Sequence, residues 1–123
     1  MKRILIVDDA ATVRLYHRNI LESAGYEVQE AINGIEALEK SLLKAFDLYL
    51  VDVNMPKLDG YAFLRRLRGT DMSQAPAIMV STEAAPHDQT AAYRAGANCY
   101  LVKPVKPEQL LVHVRILLGE SCS

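Results

Sequence analysis

Short apolar runs alternate with stretches of helical periodicity along the whole chain. Four runs are continuous, Ile4–Val7, Leu48–Val51, Ala77–Val80 and Cys99–Val102, whereas Glu27–Ala31 alternates apolar with polar positions. A strand covered by helices on both sheet faces reads as a continuous apolar run, and alternation suits a strand at an edge. Between the runs, Val13, Tyr16, Ile20 and Ala24 mark one helical face, Ile35, Leu38 and Leu42 a second, and Phe63, Leu64 and Leu67 a third. A weaker fourth helix is expected from Pro86 to Ala95, with proline suited to its first turn and Gly96 to its stop. Leu110, Leu111, Val114, Leu117 and Leu118 form the stripe of the last helix, and Gly25 and Gly69 are expected to end the first and third as Gly96 ends the fourth. Five strands alternating with five helices predict an α/β domain built on an open, doubly wound parallel sheet.

The chemistry lies at the ends of the continuous strands. Asp8 and Asp9 come directly after the first, Asp52 after the third, Ser81 and Thr82 after the fourth, and Lys103 after the fifth. In an open parallel sheet, ligands bind at the carboxyl ends of the strands, so these residues are expected to converge despite their separation in sequence. Each pair of carboxylates about 4 Å apart would repel by ~4 kcal/mol at an effective dielectric near 20, which calls for positive charge nearby. Lys103 alone would leave the crevice negative. A hard divalent cation such as magnesium, which takes oxygen ligands and retains several waters, fits an acidic site open at its loops. A carboxylate such as Asp52 can also accept a phosphoryl group as an acyl phosphate, whose charge the metal and Lys103 would offset.

Composition narrows the classes. The 14 Lys and Arg nearly balance the 15 Asp and Glu, for a formal charge of -1, so there is no basic footprint for nucleic acid. The apolar stretch after Met1-Lys2-Arg3 is too short for a signal-peptide core or a membrane span, and a cytoplasmic location without membrane insertion is expected. The length of 123 residues fits one domain, 1–123, with no output domain, so a partner is expected to read any signal. Cys99 and Cys122 form no CxxC pair and argue against a disulfide framework or zinc site.

These residues resemble the receiver domain of bacterial response regulators, and within it the stand-alone chemotaxis type. The resemblance runs from ILIVDD through VDVNMPKLDG to VST and LVKP, and so covers nearly the whole chain. It implies the flavodoxin-like strand order and a phosphorylation-controlled switch that is no enzyme beyond its own phosphotransfer and autodephosphorylation. Asp52 would be the phosphoacceptor. Asp8, Asp9, Asp52 and the Asn54 main-chain carbonyl would hold magnesium, or alternatively manganese. Ser81, Thr82 and Lys103 would meet the phosphoryl group, and Tyr100 would rotate with Ser81. The Asn54 and Glu83 side chains would tune dephosphorylation, and Pro104 would follow a cis bond. Expected partners are a histidine kinase, a downstream protein such as the flagellar motor switch, and a phosphatase; the alternative output is a phosphate sink. The face expected to respond comprises the fourth helix, fifth strand and fifth helix. Ser81 stands where Thr is commoner, Thr82 where a small residue is frequent, and Val105 where Phe is frequent.

Plainer readings stand beside these. Asp8 or Asp9 could cap the first helix, and Asp59-Gly60 reads as a turn and helix start. Pro56 reads as a loop stiffener, the methionines as core or loop fillers, Tyr100 by itself as a half-buried packing residue, and Asp71 as solvated. His17, His87 and His113 are expected to face solvent or be satisfied. A haloacid-dehalogenase-type phosphatase would need a second Asp where Asn54 stands, and Asp8 and Asp9 would repel a flavin phosphate. A degenerate receiver would lack part of the acidic, hydroxyl and lysine set, which is complete here.

Overall fold

A computed structural model describes residues 1–70 and 74–120; Asp71, Met72 and Cys122 lie outside them. The strands are β1 (Arg3–Val7), β2 (Glu27–Ala31), β3 (Leu48–Asp52), β4 (Ala77–Ser81) and β5 (Cys99–Val102). The helices are α1 (Ala11–Ser23), α2 (Gly34–Leu43), α3 (Gly60–Arg68), α4 (Pro86–Ala95) and α5 (Pro107–Leu117). All strands pair in parallel in the order β2-β1-β3-β4-β5. This is the flavodoxin-like order, of which chemotaxis receivers are themselves a standing example. The chain moves outward one way from β1 to β2 and the other way from β3 to β5. A crevice therefore opens at the carboxyl ends of β1 and β3.

Side-chain alternation along the strands builds two cores. Leu5, Val7, Tyr49, Val51 and Met79 face Ala37, Phe63, Leu64, Leu67 and Ala92, so α2, α3 and α4 cover one face. Ile4, Ile6, Leu48, Leu50, Ile78 and Val80 face Ile20, Leu21, Leu110 and Val114, which places α1 and α5 on the other. As expected, the alternating β2 lies at an edge. The continuous β5 forms the other edge, because Tyr100 packs into one core and Leu101 into the other.

Two helical faces differ from expectation. On α1 the buried residues are His17, Ile20 and Leu21, while Tyr16 is exposed and its hydroxyl donates to the Val105 carbonyl at 2.9 Å. On α2 the buried residues are Gly34, Ala37 and Ser41, and Ile35 and Leu42 are exposed. Small residues let α2 approach closely: a Cβ on Gly34 would stand 2.7 Å from the Leu58 carbonyl oxygen. Periodicity weighted by hydrophobicity therefore picked the larger side chains and missed the smaller inward ones. Gly25 and Gly96 adopt left-handed backbone at φ 95° and 113°, but Gly69 ends α3 at φ -86° and needs no such freedom. Asp59 caps α3 by accepting from Ala62 N at 2.8 Å.

Candidate phosphoacceptor and metal site

The carboxyl end of β1 delivers Asp8 into the crevice and fixes it there. Its backbone N–H extends the ladder to the Ala31 carbonyl, and its Oδ1 accepts from Ala10 N at 2.9 Å. Ala10, not either aspartate, is the N-cap of α1, so helix capping does not account for the acidic pair. Asp52 is the last residue of β3, where α3 presses against it. A Cβ at Gly60 would lie 2.4 Å from the Asp52 carbonyl oxygen, so only glycine admits this approach. The Gly60 N–H donates to the Val53 carbonyl at 2.9 Å, and Lys57 in the same loop takes φ 68°.

Lys103 enters from the end of β5 and is held by its own N–H on the Ser81 carbonyl at 2.8 Å. Its ammonium donates to Asp52 Oδ1 at 2.9 Å and to Asp8 Oδ2 at 3.2 Å. Oxygens of Asp8, Asp9 and Asp52 all lie within 4.8 Å of one another. Asp8 and Asp52 are buried and Asp9 is exposed. Burial pushes the Asp52 carboxyl above its usual range, and Asp8 and Asp9 push the same way against the Lys103 hydrogen bond. Burial works to lower Lys103, but its hydrogen bond to Asp52 and the field of Asp8 outweigh that and leave it raised. Three carboxylates facing one ammonium keep a negative excess in a cluster of hard oxygen donors open to solvent at Asp9. That donor set fits a divalent cation such as magnesium.

The remaining candidates lie around this cluster. Ser81 is buried at the end of β4, and its hydroxyl oxygen accepts from Glu83 N at 3.1 Å. Thr82, Glu83 and Asn54 are exposed. Tyr100 is buried rather than half-buried, with its hydroxyl donating to the Glu83 carbonyl at 2.6 Å. The Lys103–Pro104 bond is cis. Sequence reasoning missed His17, which is buried with Nδ1 lacking a hydrogen-bond partner, contrary to its expected solvent-facing or satisfied role. Its position four residues after Val13 and three before Ile20 was the available signal. His113 Nδ1 lies 3.6 Å from Cys99 Sγ, a pairing that sequence spacing concealed.

Fold and site together define a receiver with an acidic pocket at its switch point. The chain matches the response regulator receiver domain over residues 4–115 and belongs to that family. It is 37% identical to the chemotaxis protein CheY1 of Helicobacter pylori over 97% of this chain and 98% of that protein. It is 36% identical to the transcriptional regulatory protein ResD of Bacillus subtilis, of which it spans only 49%. It spans 13% of the gliding motility regulatory protein of Myxococcus xanthus, at 41% identity over 82% of this chain. Among solved structures, chemotaxis protein CheY4 of Vibrio cholerae superposes with TM-score 0.89 at 36% identity, covering 95% of this chain and 98% of that one. The receiver domain of sensor histidine kinase PA1611 from Pseudomonas aeruginosa, described with magnesium coordinated in its active-site cleft, superposes at TM-score 0.89 with 30% identity, covering 97% and 98%. Among the described residues, no helix is long and apolar enough to cross a membrane.

Proposed function

We propose that Asp52 accepts a phosphoryl group from the phosphohistidine of a histidine kinase and that a protein partner reads the result. A carboxylate oxygen of Asp52 attacks phosphorus, the phosphorus–nitrogen bond of the donor breaks, and its electron pair remains on the departing imidazole. The observation that carries this reading is the buried Asp52 carboxylate, held by Lys103 at 2.9 Å beside two further carboxylates. Asp8, Asp9, Asp52 and the Asn54 carbonyl would hold magnesium, which when bound screens the negative charge of acceptor and donor. Lys103 supplies a positive group that can remain on Asp8 while it follows a new phosphoryl oxygen. Asn54 and Glu83, exposed two residues beyond Asp52 and Ser81, stand where they can tune access of water to the acyl phosphate.

Readout rests on Ser81 and Tyr100. A phosphoryl oxygen draws the Ser81 hydroxyl away from Glu83 N, while Tyr100 already packs inward on the Glu83 carbonyl. The loop carrying Thr82 and Glu83 then settles differently against α4, and the α4–β5–α5 face changes its affinity for a partner. Couplings of this type are about 1 to 3 kcal/mol, or about 5- to 150-fold. The likeness to CheY1 over nearly the whole length of both chains supports a chemotaxis role, and a flagellar motor switch as partner and a cytoplasmic location follow from the sequence resemblance. Intact mass after incubation with magnesium and a small acyl phosphate tests the core of the reading. The wild type gains one phosphoryl mass and Asp52→Asn gains none; an equal gain in the variant overturns the assignment.

A further inference from the structure

Both ends of the Asp8 backbone are held with the help of β2, an edge strand that places no side chain in the acidic crevice. The Asp8 N–H donates to the Ala31 carbonyl, and the Asp8 carbonyl accepts from Arg14 Nη1 at 2.7 Å. Arg14 is aimed at that carbonyl from α1 because its Nε donates to Oε1 of Glu30, the residue before Ala31 in β2, at 2.9 Å. One planar guanidinium thus spans a carboxylate and a main-chain carbonyl in a fixed fork, a task that suits arginine and not lysine. Arg14 and the neighbouring Arg18 face Glu30 and Glu22, so this group of four carries no net charge. The Arg14 side chain is only 15% exposed.

The carbonyl that Arg14 holds belongs to the peptide joining Asp8 to Asp9. Asp9 lies on the bend between β1 and α1, and its side chain makes no hydrogen bond or ion pair with the described residues. Its direction is therefore left to its backbone. Arg14 fixes the peptide before Asp9, and the bond from Ala10 N to Asp8 Oδ1 at 2.9 Å fixes the one after it. Repulsion from Asp8 and Asp52 would turn an exposed, untethered carboxylate outward, yet an Asp9 oxygen stays within 4.8 Å of oxygens on both. We infer that Arg14 is a positioning residue for the metal site: oriented by Glu30, it sets the Asp8–Asp9 peptide so that the Asp9 carboxylate meets the same cation as Asp8 and Asp52. The inference rests on the reading of the crevice as a magnesium site.

The test is a magnesium titration of the whole chain followed by amide chemical shifts, with the Asp8 carbonyl carbon shift reporting on the Arg14 bond itself. By charge alone, deleting a cation near the crevice should tighten magnesium binding. Positioning predicts the opposite: Arg14→Ala should move the Asp8 carbonyl shift and weaken magnesium binding about tenfold. Arg18→Ala, which takes an equal charge from Glu30 without touching Asp8, should leave both readings near those of the wild type. Arg14→Lys keeps the charge but cannot make both bonds, so it should lose most of the same affinity, and it replaces Arg14→Ala if that variant does not fold. Magnesium affinity in Arg14→Ala or Arg14→Lys equal to or tighter than wild type, or an equal loss in Arg18→Ala, would overturn the positioning role alone. A wild type without saturable magnesium shifts would overturn the metal reading together with it.

Discussion

The two halves of the sheet's carboxyl rim are built differently. At β1 and β3 the carboxylates of Asp8 and Asp52 sit on buried strand ends beside the exposed Asp9, and Lys103, reaching across from the end of β5, joins Asp8 and Asp52 by direct ion pairs. After β4 the chain runs from buried Ser81 into exposed Thr82, Glu83 and Ala84, and α4 starts at Pro86 behind an N-cap, Ala85, that offers no side-chain hydrogen bond. Only Ala92 and Ala95 of α4 are buried, whereas α3 buries Gly60, Phe63, Leu64 and Leu67. A segment with few buried apolar contacts opens and shifts at lower free-energy cost than a packed one. The half that gathers charge is thus fixed, and the half assigned to readout is lightly attached.

Mutations can break this contrast, and the largest effect is expected in the fixed half. Gly60→Ala forces a methyl against the Asp52 carbonyl and should destabilise the protein by about 3 kcal/mol, read as a lower denaturant midpoint. A midpoint unchanged by Gly60→Ala would mean that the acceptor strand end is not clamped. Next come two substitutions of opposite charge in the cluster. Asp9→Ala should weaken magnesium binding by about tenfold or more, whereas Lys103→Ala, which removes a competing cation, should leave it equal or tighter. Isothermal titration separates them, and equal losses would contradict the division of roles. In the lightly attached half, Tyr100→Phe removes one hydrogen bond to the Glu83 carbonyl and should cost only about 1 kcal/mol in thermal stability.

The smallest expected effect is a pH dependence of stability. Burial lowers the pKa of His17 from 6.5, with Asp8 opposing and Lys103 assisting. Above pH 6.5 the imidazole is neutral folded and unfolded; as pH falls, the unfolded chain takes up the proton first. Stability contributed by neutral His17 is therefore lost as pH drops from 6.5 through the lower folded value. His17→Val should flatten that part of the stability curve, measured by urea unfolding between neutral and mildly acidic pH. A slope identical to wild type would place the proton elsewhere.

How much of this was legible in the sequence depended on the kind of signal. Strands showed as uninterrupted apolar runs, and the rule that parallel strands present their ends together brought Asp8, Asp9, Asp52 and Lys103 into one crevice on sequence grounds alone. Helix faces were harder, because α2 buries Gly34, Ala37 and Ser41, which carry almost no hydrophobic signature. His17 was passed over because residue type argued for the surface while its spacing argued for the core. Tyr100 on Glu83 and Cys99 beside His113 are contacts across elements, and no local pattern encodes them.

The Lys103 ion pairs also bear on how the chain is made. Asp8 and Lys103 are 95 positions apart, and Asp52 and Lys103 are 51 apart. During synthesis the acidic residues emerge well before the lysine that compensates them, and β5 can join the parallel sheet only once the crossover segment that precedes it is available. Nascent chains therefore pass through a stage with an uncompensated acidic cluster, and long-range pairings of this sort are slow to close. The site is completed only by β5, so the Lys103–Asp52 contact marks a chain that has added β5 and is missing from every shorter one.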